Sequence, residues 1–221
     1  MVFFDIDDTL MDDGTATRTA VAVLHRLSSA AGTIDELVVR WWAAIDRHFP
    51  RYLAGEVSYQ AQRRARIREV IDNRATDQDA DRTYQVYLEA YESALTLFPD
   101  VLPCLAALQG SRVGVISNGQ AAHQRKKLER TNIISRFDYV LISEECAWSK
   151  PSAGIFLHAC EAAGVPPSDA VYVGDRYDVD ATGARAAGLT GIWLDRRRTR
   201  HASHQHPIIA GLDELADALI R

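Results

Sequence analysis

The chain has 221 residues, 47% hydrophobic and 25% charged, with a formal net charge of −5. This is the composition of a globular protein long enough for one sizeable core, or a core with a smaller lobe, and its acidity argues against affinity for a nucleic-acid polymer though not for a small nucleotide. No apolar run approaches the length of a bilayer span and the first residues lack the features of a secretory leader, so a cytoplasmic protein away from the membrane is expected.

The first predicted strand covers residues 2–6 and runs Val2-Phe3-Phe4-Asp5-Ile6, followed by Asp7-Asp8-Thr9-Leu10. Carboxylates at the end of a buried strand repel each other and lose hydration unless a cation or phosphate-binding groups compensate them. A divalent metal is the simplest compensation. Residues 16–29 read as a helix with Ala20, Leu24 and Leu27 facing inward. Ile34, Leu37, Val38, Trp41, Trp42, Ile45 and Phe49 share one helical face, and Tyr84, Tyr87, Leu88, Tyr91, Leu95 and Phe98 share another. Residues 57–73 have a weaker apolar stripe, and Arg63, Arg64, Arg66, Arg68 and Arg74 read chiefly as a solvated face. The stretch 15–96 is therefore expected to be all helix.

Beyond Phe98-Pro99-Asp100 the pattern alternates. Strands are predicted at 112–117, 139–143, 170–174 and 191–194, with helices at 100–109, 120–131, 153–163 and 179–187 between them. That alternation predicts an α/β fold with a doubly wound parallel sheet. The opening strand is too short to stand alone and should join this sheet. Residues 1–14 and 97–221 would then form the core, and 15–96 an inserted all-helical cap, acting as a lid above the strand ends. Cys104, Cys146 and Cys160 share no C-x-x-C spacing and are expected as buried small hydrophobes. His201, His204 and His206 follow Arg196-Arg197-Arg198 in a polar stretch and read as a surface loop.

In an open parallel sheet, ligands bind outside the carboxyl ends of the strands. The residues expected there are Asp5, Asp7 and Thr9, then Ser117-Asn118-Gly119, Lys150 and Asp175 with Asp180. They offer acids for a metal, a hydroxyl and backbone N–H groups for an oxyanion, and one cation. Each has a plainer reading in isolation: Thr9 and Gly119 as turn residues, Lys150 as a solvated lysine, Asp178 as a solvated or capping acid. A calcium loop starting at Asp5 fails, because Leu10 falls where glycine is required and Ala16 where the bidentate glutamate is required.

Four segments in order, the D-x-D-x-T of Asp5, Asp7 and Thr9, the strand-ending Ser117, Lys150, and the G-D-x-x-x-x-D of Asp175 and Asp180, resemble the motifs of the haloacid dehalogenase-like hydrolase superfamily. The resemblance covers residues 2–14 and 97–195. It implies a Rossmann-like core and Mg2+-dependent hydrolysis of small-molecule phosphate monoesters through an aspartyl-phosphate. Asp5 would be the nucleophile and Asp7 the general acid and base. The Asp5 carboxylate, the Asp7 backbone carbonyl and the Asp175 carboxylate would hold the metal. Ser117, the N–H groups of Asn118 and Gly119, and Lys150 would bind the phosphoryl oxygens, supported by Thr9 and Asp180. An acid at Asp7 favours phosphate esters over carbon–halogen substrates, since halide leaves without a proton. The stretch Val115 to Asp195 looks most like pyrimidine 5′-nucleotidases and flavin-mononucleotide or sugar-phosphate phosphatases. The expected partner is a small phosphorylated metabolite, the expected assembly a monomer or homodimer. A sugar phosphomutase or a catalytically silent phosphometabolite-binding protein are the alternatives.

Overall fold

The computed structural model describes residues 1–28, 30–199 and 207–220; His201, His204 and His206 lie outside them. In chain order the elements open with strand β1 (Val2–Phe4) and helices α1 (Asp13–Leu27), α2 (Ile34–Leu53), α3 (Tyr59–Val70), α4 (Asp77–Ala94) and α5 (Val101–Ala107). They continue with β2 (Val113–Ser117), α6 (Ala121–Arg130), β3 (Tyr139–Ile142), α7 (Ala153–Ala163), β4 (Val171–Gly174), α8 (Thr182–Ala186), β5 (Thr190–Leu194), β6 (Ile208–Ile209) and α9 (Leu215–Ile220). The chain divides into two compact units, Met1–Asp12 with Leu97–Arg221, and Asp13–Thr96. Among the described residues no helix is long and apolar enough to cross a membrane.

The first unit is an α/β domain with a doubly wound parallel sheet of strand order β3-β2-β1-β4-β5-β6. All three residues of β1 are buried, as a strand flanked on both sides requires: Phe4 pairs with Val115 on one side and Val173 on the other. This shared register brings the ends of β1, β2 and β4 to one edge. The chain builds outward from β1 through β2 and β3, then returns to add β4 on β1's other side, so the strand order reverses between β1 and β4. Such a reversal is where doubly wound sheets hold ligands.

The first strand is shorter than the 2–6 expected. Asp5 still donates its N–H to Val173 O, but the carbonyl of Ile6 takes the N–H groups of both Leu10 and Met11, closing a turn. Asp8 adopts a positive φ of 53° within it, a conformation aspartate tolerates better than most residues. The chain then runs beside its own return segment, with Met11 bridging antiparallel to Leu97 and Phe98 N bonded to Leu10 O. That pairing corrects the helical reading of Leu95 and Phe98: α4 stops at Ala94 and Leu95 is already extended. The predicted helix at 179–187 is likewise split, into a wide turn over Tyr177–Ala181 and a short α8. Strand β6 and helix α9, on two-residue and six-residue patterns, were not expected.

The second unit is four helices. Thr33 caps α2 in a reciprocal box with Glu36, and Ser58 and Thr76 cap α3 and α4. Its core gathers Ala20, Val21 and Leu24 with Leu37, Trp41, Ile67, Tyr84, Tyr87 and Tyr91. Leu27 is not part of it. As the last residue of α1 it has run past that core and is 71% exposed. Arg66 corrects the expectation of a solvated arginine face, being buried with its guanidinium bonded to the Tyr84 hydroxyl and 5.2 Å from the Trp41 ring centre. Arg64 and Arg68 do face outward, paired with Asp77, and Arg64 also with Asp81. Cys104 and Cys160 are buried as expected, whereas Cys146 is partly exposed.

Candidate active site at the carboxyl edge of the sheet

Lys150 sits at the centre of the constellation. Its ammonium lies 2.8 Å from Asp5 Oδ1 and 2.7 Å from Asp180 Oδ1, and donates to the Tyr172 hydroxyl at 2.7 Å. An ammonium has three protons, and here all three have acceptors. Burial alone would lower its proton affinity, but Asp180 and Asp5 more than offset that and raise it. The backbone of Lys150 is fixed as tightly: Asn118 Oδ1 accepts from its N–H at 2.8 Å while Asn118 Nδ2 donates to its carbonyl at 2.9 Å.

Asp180 is held on both oxygens. Besides Lys150 on Oδ1, its Oδ2 accepts from the N–H of Arg176 at 2.9 Å. It reaches this position only because β4 ends in glycine, since a Cβ on Gly174 would stand 2.4 Å from the Asp180 carboxyl carbon. Asp175 follows on the same turn, its carbonyl accepting from the indole of Trp193 at 2.8 Å. Carboxylate oxygens of Asp5, Asp175 and Asp180 lie within 4.8 Å of one another. Three acids so close, with one ammonium among them, are under-compensated. Burial, with Asp180 and Asp7 adding and Lys150 opposing, pushes the Asp5 carboxyl up to about 6. Burial, Asp180 and Asp5 raise Asp175 well above the usual carboxylate range. This set fits a hard divalent cation, which prefers carboxylate oxygen and removes the repulsion. With both oxygens of Asp180 committed, Asp5 and Asp175 are the carboxylates available to it.

Asp7 stands apart from that trio. Lys127 Nζ donates to its Oδ1 at 2.6 Å, and Gln124 Nε2 to its Oδ2 at 3.0 Å. Burial pushes the Asp7 carboxyl up, but Lys127 and Gln124 outweigh it and hold it below the ordinary value. The same Gln124 amide donates to Ser117 Oγ at 2.9 Å, so α6 links Asp7 to the end of β2. Neither Gln124 nor Lys127 was among the expected residues. Their signal was a buried polar pair three apart on a helix, which a single sequence shows as an ordinary solvated face.

The expected donors of the Ser117-Asn118-Gly119 loop separate. Ser117 is buried and accepts from Gln124, and Asn118 spends its side chain on Lys150. The backbone N–H of Gly119, expected to bind an anion, instead donates to Ser143 Oγ at 3.0 Å. That correction follows from the neighbouring Ser143, whose hydroxyl reaches the loop from the end of β3. Gly119 has φ +143° and packs against Gln124, whose Cγ would be 3.2 Å from an added Cβ. Thr9 is buried, and its hydroxyl has no hydrogen-bond partner among the described residues, so it does not hold Asp7. Its carbonyl accepts from Arg196 at 2.8 Å.

Known proteins resemble this chain in sequence and in fold. The haloacid dehalogenase-like hydrolase family matches residues 1–188. A glyceraldehyde 3-phosphate phosphatase of Methanopyrus kandleri is 31% identical over 201 residues, 88% of this chain and 83% of that protein. The pyrimidine 5′-nucleotidase YjjG of Escherichia coli is 33% identical over 141 residues, 62% of this chain and 63% of its own. Among solved structures, a 2-haloacid dehalogenase from Pseudomonas syringae pv. Tomato DC3000 superposes with a TM-score of 0.73 at 28% identity, covering 100% of this chain and 97% of that one.

Proposed function

The chain belongs to the haloacid dehalogenase-like hydrolases, and from that premise we propose that it hydrolyses small-molecule phosphate monoesters through an aspartyl-phosphate on Asp5, with Mg2+ as cofactor. It is a phosphatase, as the two curated relatives named above are by their activities. The reading rests on one observation: a buried Asp5 bonded to Lys150, with Asp175 close enough to share a cation and Asp7 two residues on. Likeness to a dehalogenase does not choose the chemistry, because halide needs no proton on leaving. Asp7 supplies the proton that an alcohol does need. A nucleoside monophosphate, flavin mononucleotide or a sugar phosphate is the substrate class this reading favours.

In the first step a carboxylate oxygen of Asp5 attacks phosphorus, the P–O bond to the alcohol breaks, and Asp7 gives its proton to the departing oxygen. Lys127 keeps Asp7 ionised in the free enzyme, and Asp7 takes up the proton it gives from solvent as the arriving phosphate dianion raises its proton affinity. As Asp5 becomes an acyl phosphate it loses its charge, and the Lys150 proton it held turns to a phosphoryl oxygen. Ser117 holds a second. In the second step Asp7 takes a proton from water, which attacks phosphorus and releases phosphate and the Asp5 carboxylate. Mg2+, held by Asp5, Asp175 and the Asp7 backbone carbonyl, would screen the repulsion between anionic nucleophile and anionic substrate.

Phosphate release from a panel of such esters should require Mg2+, stop with EDTA, and stop with Asp5→Asn while the fold is kept. A single turnover in 18O-water followed by mass spectrometry should leave 18O in released phosphate and none in Asp5. Magnesium-dependent turnover of Asp5→Asn at the wild-type rate would overturn the nucleophile assignment.

A further inference from the structure

Helix α6 carries a buried pair that the chemistry above leaves unexplained. Gln124 is 2% exposed and Lys127 5%, and they lie three apart, on one face of the helix. Burying an amide and an ammonium is costly unless each is bonded. Docking α6 onto the domain does not need them, since the same helix already buries Leu128 completely. Both send bonds toward the reacting groups.

Lys127 and Gln124 together take both oxygens of Asp7, at 2.6 and 3.0 Å. A carboxylate gripped on both oxygens by groups on a rigid helix has one orientation. Gln124 Nε2 also donates to Ser117 Oγ at 2.9 Å and approaches the Asn118 carbonyl at 3.3 Å. A hydroxyl that accepts a bond keeps its single proton to give. Among the described residues the Ser117 hydroxyl has no other bond, so that proton is directed by Gln124 and left for a ligand. The glycine at 119 belongs to the same device, because a Cβ there would press on the Gln124 side chain at 3.2 Å.

We propose that Gln124 and Lys127 are positioning residues that set two groups in register: Lys127 places the Asp7 carboxylate at the leaving oxygen, and Gln124 turns the Ser117 hydroxyl toward a phosphoryl oxygen. Neither touches substrate. The proposal rests on Asp7 as the proton carrier, and its consequences differ from those of a merely structural pair. An alkyl leaving group depends on the proton from Asp7, whereas p-nitrophenolate departs with little help.

The test compares wild type, Lys127→Met, Lys127→Arg and Gln124→Met on p-nitrophenyl phosphate and on an alkyl phosphate, with folding checked by circular dichroism. Lys127→Met should lower kcat on the alkyl ester about 100-fold more than on the aryl ester, the size of a lost general acid, with KM little changed. Lys127→Arg, which keeps the charge and secures the test if the methionine variant is unfolded, should show the same selectivity in smaller measure. Gln124→Met should weaken binding of inorganic phosphate, read by calorimetry without turnover, about tenfold, the worth of one hydrogen bond to an ionised ligand. It should add nothing further in a Ser117→Ala background. Equal losses on both esters, a rise in alkyl-ester turnover on removing Lys127, or additive effects of Gln124→Met and Ser117→Ala would overturn the proposal. Wild type that bound phosphate with this Gln124 dependence yet released none from any ester would overturn the phosphatase reading instead, and leave the Ser117 half of the proposal standing.

Discussion

A buried carboxylate beside two others destabilises the fold that holds it until a cation arrives. Asp5 shows this with a sign that can be measured. Burial, with Asp180 and Asp7 adding, raises its carboxyl from 3.8 to about 6, so the folded chain binds that proton more tightly than the unfolded one does. The contribution of Asp5 to stability is therefore most favourable below pH 4 and is lost as pH rises through about 6, by up to roughly 3 kcal/mol from a shift of this size. In EDTA, urea unfolding at pH 4.5 and 7.5 should show wild type losing stability relative to Asp5→Asn over that interval. Saturating Mg2+ should close the gap, because the ion binds the ionised folded form. Parallel curves for the two proteins in EDTA would mean the trio is not electrostatically frustrated. At this scale the legible residues were those whose type is odd for its place: acids ending an apolar strand, a serine ending another. Tyr172, Gln124 and Lys127 were illegible because an aromatic on a strand and polar residues on a helix are ordinary until their partners are known.

Elements put those residues in reach of one another, and the turn after β4 shows how closely. Gly174 ends the strand, the wide turn over Tyr177–Ala181 follows, and Asp180 comes back over the glycine to bond Lys150. A methyl at 174 would stand 2.4 Å from both the Asp180 carboxyl carbon and its Oδ2. Gly174→Ala must therefore push Asp180 away from Lys150, an overpacking that costs about 1–3 kcal/mol, and should lower kcat because Lys150 loses its fixed counter-charge. Denaturant unfolding and turnover on the same variant check this, and a variant normal in both would show that Asp180 has room to move. The strands were legible as short apolar runs alternating with helical stretches, and the helices of the second unit as apolar stripes, weakest in α3. The failures have a common cause. Leu95 and Phe98 continue the helical spacing of α4, yet Leu95 is extended and Phe98 gives its N–H to Leu10, a residue 88 positions earlier that no local pattern points to. The two-residue β6 has no periodicity to detect and exists because β5 offers it an edge.

On the scale of the whole chain, the α/β unit must close over a point where the sequence departs after Asp12 and returns at Leu97. The sheet alone does not secure that point, since β1 has three residues and its exit is held by single bonds at Met11 and Phe98. Arg196, just beyond β5, supplies the rest. Its guanidinium donates to both oxygens of Asp100 at 2.7 and 3.1 Å and to the Thr9 carbonyl at 2.8 Å, and lies 3.9 Å from the Phe98 ring centre. Asp100 also accepts from Leu212 N at 2.8 Å, bringing the C-terminal segment into the same knot. Four stretches far apart in sequence are thus tied through one planar cation, a geometry lysine cannot reproduce. Burial works to raise the Asp100 carboxyl, but the bonds from Arg196 and Leu212 prevail and hold it below its ordinary value. Its contribution to stability is accordingly present above pH 4 and lost as pH falls through that lowered value, opposite in sign to Asp5. Arg196→Met should destabilise the α/β unit by about 2–4 kcal/mol at neutral pH, the cost of leaving a partly buried carboxylate without its charged partner. The Asp100→Asn, Arg196→Met double variant should be less destabilised than the sum of its parts, since each single change already breaks the pair. Urea unfolding of the four proteins at pH 7 measures the coupling, and strict additivity would show the knot to be a contact without energetic weight. Both halves of this clamp were in plain view as Asp100 after a proline and Arg196 at the head of an arginine run. What no local pattern could reveal is that 96 residues apart they face each other, because that is decided by the order in which the strands are laid into the sheet.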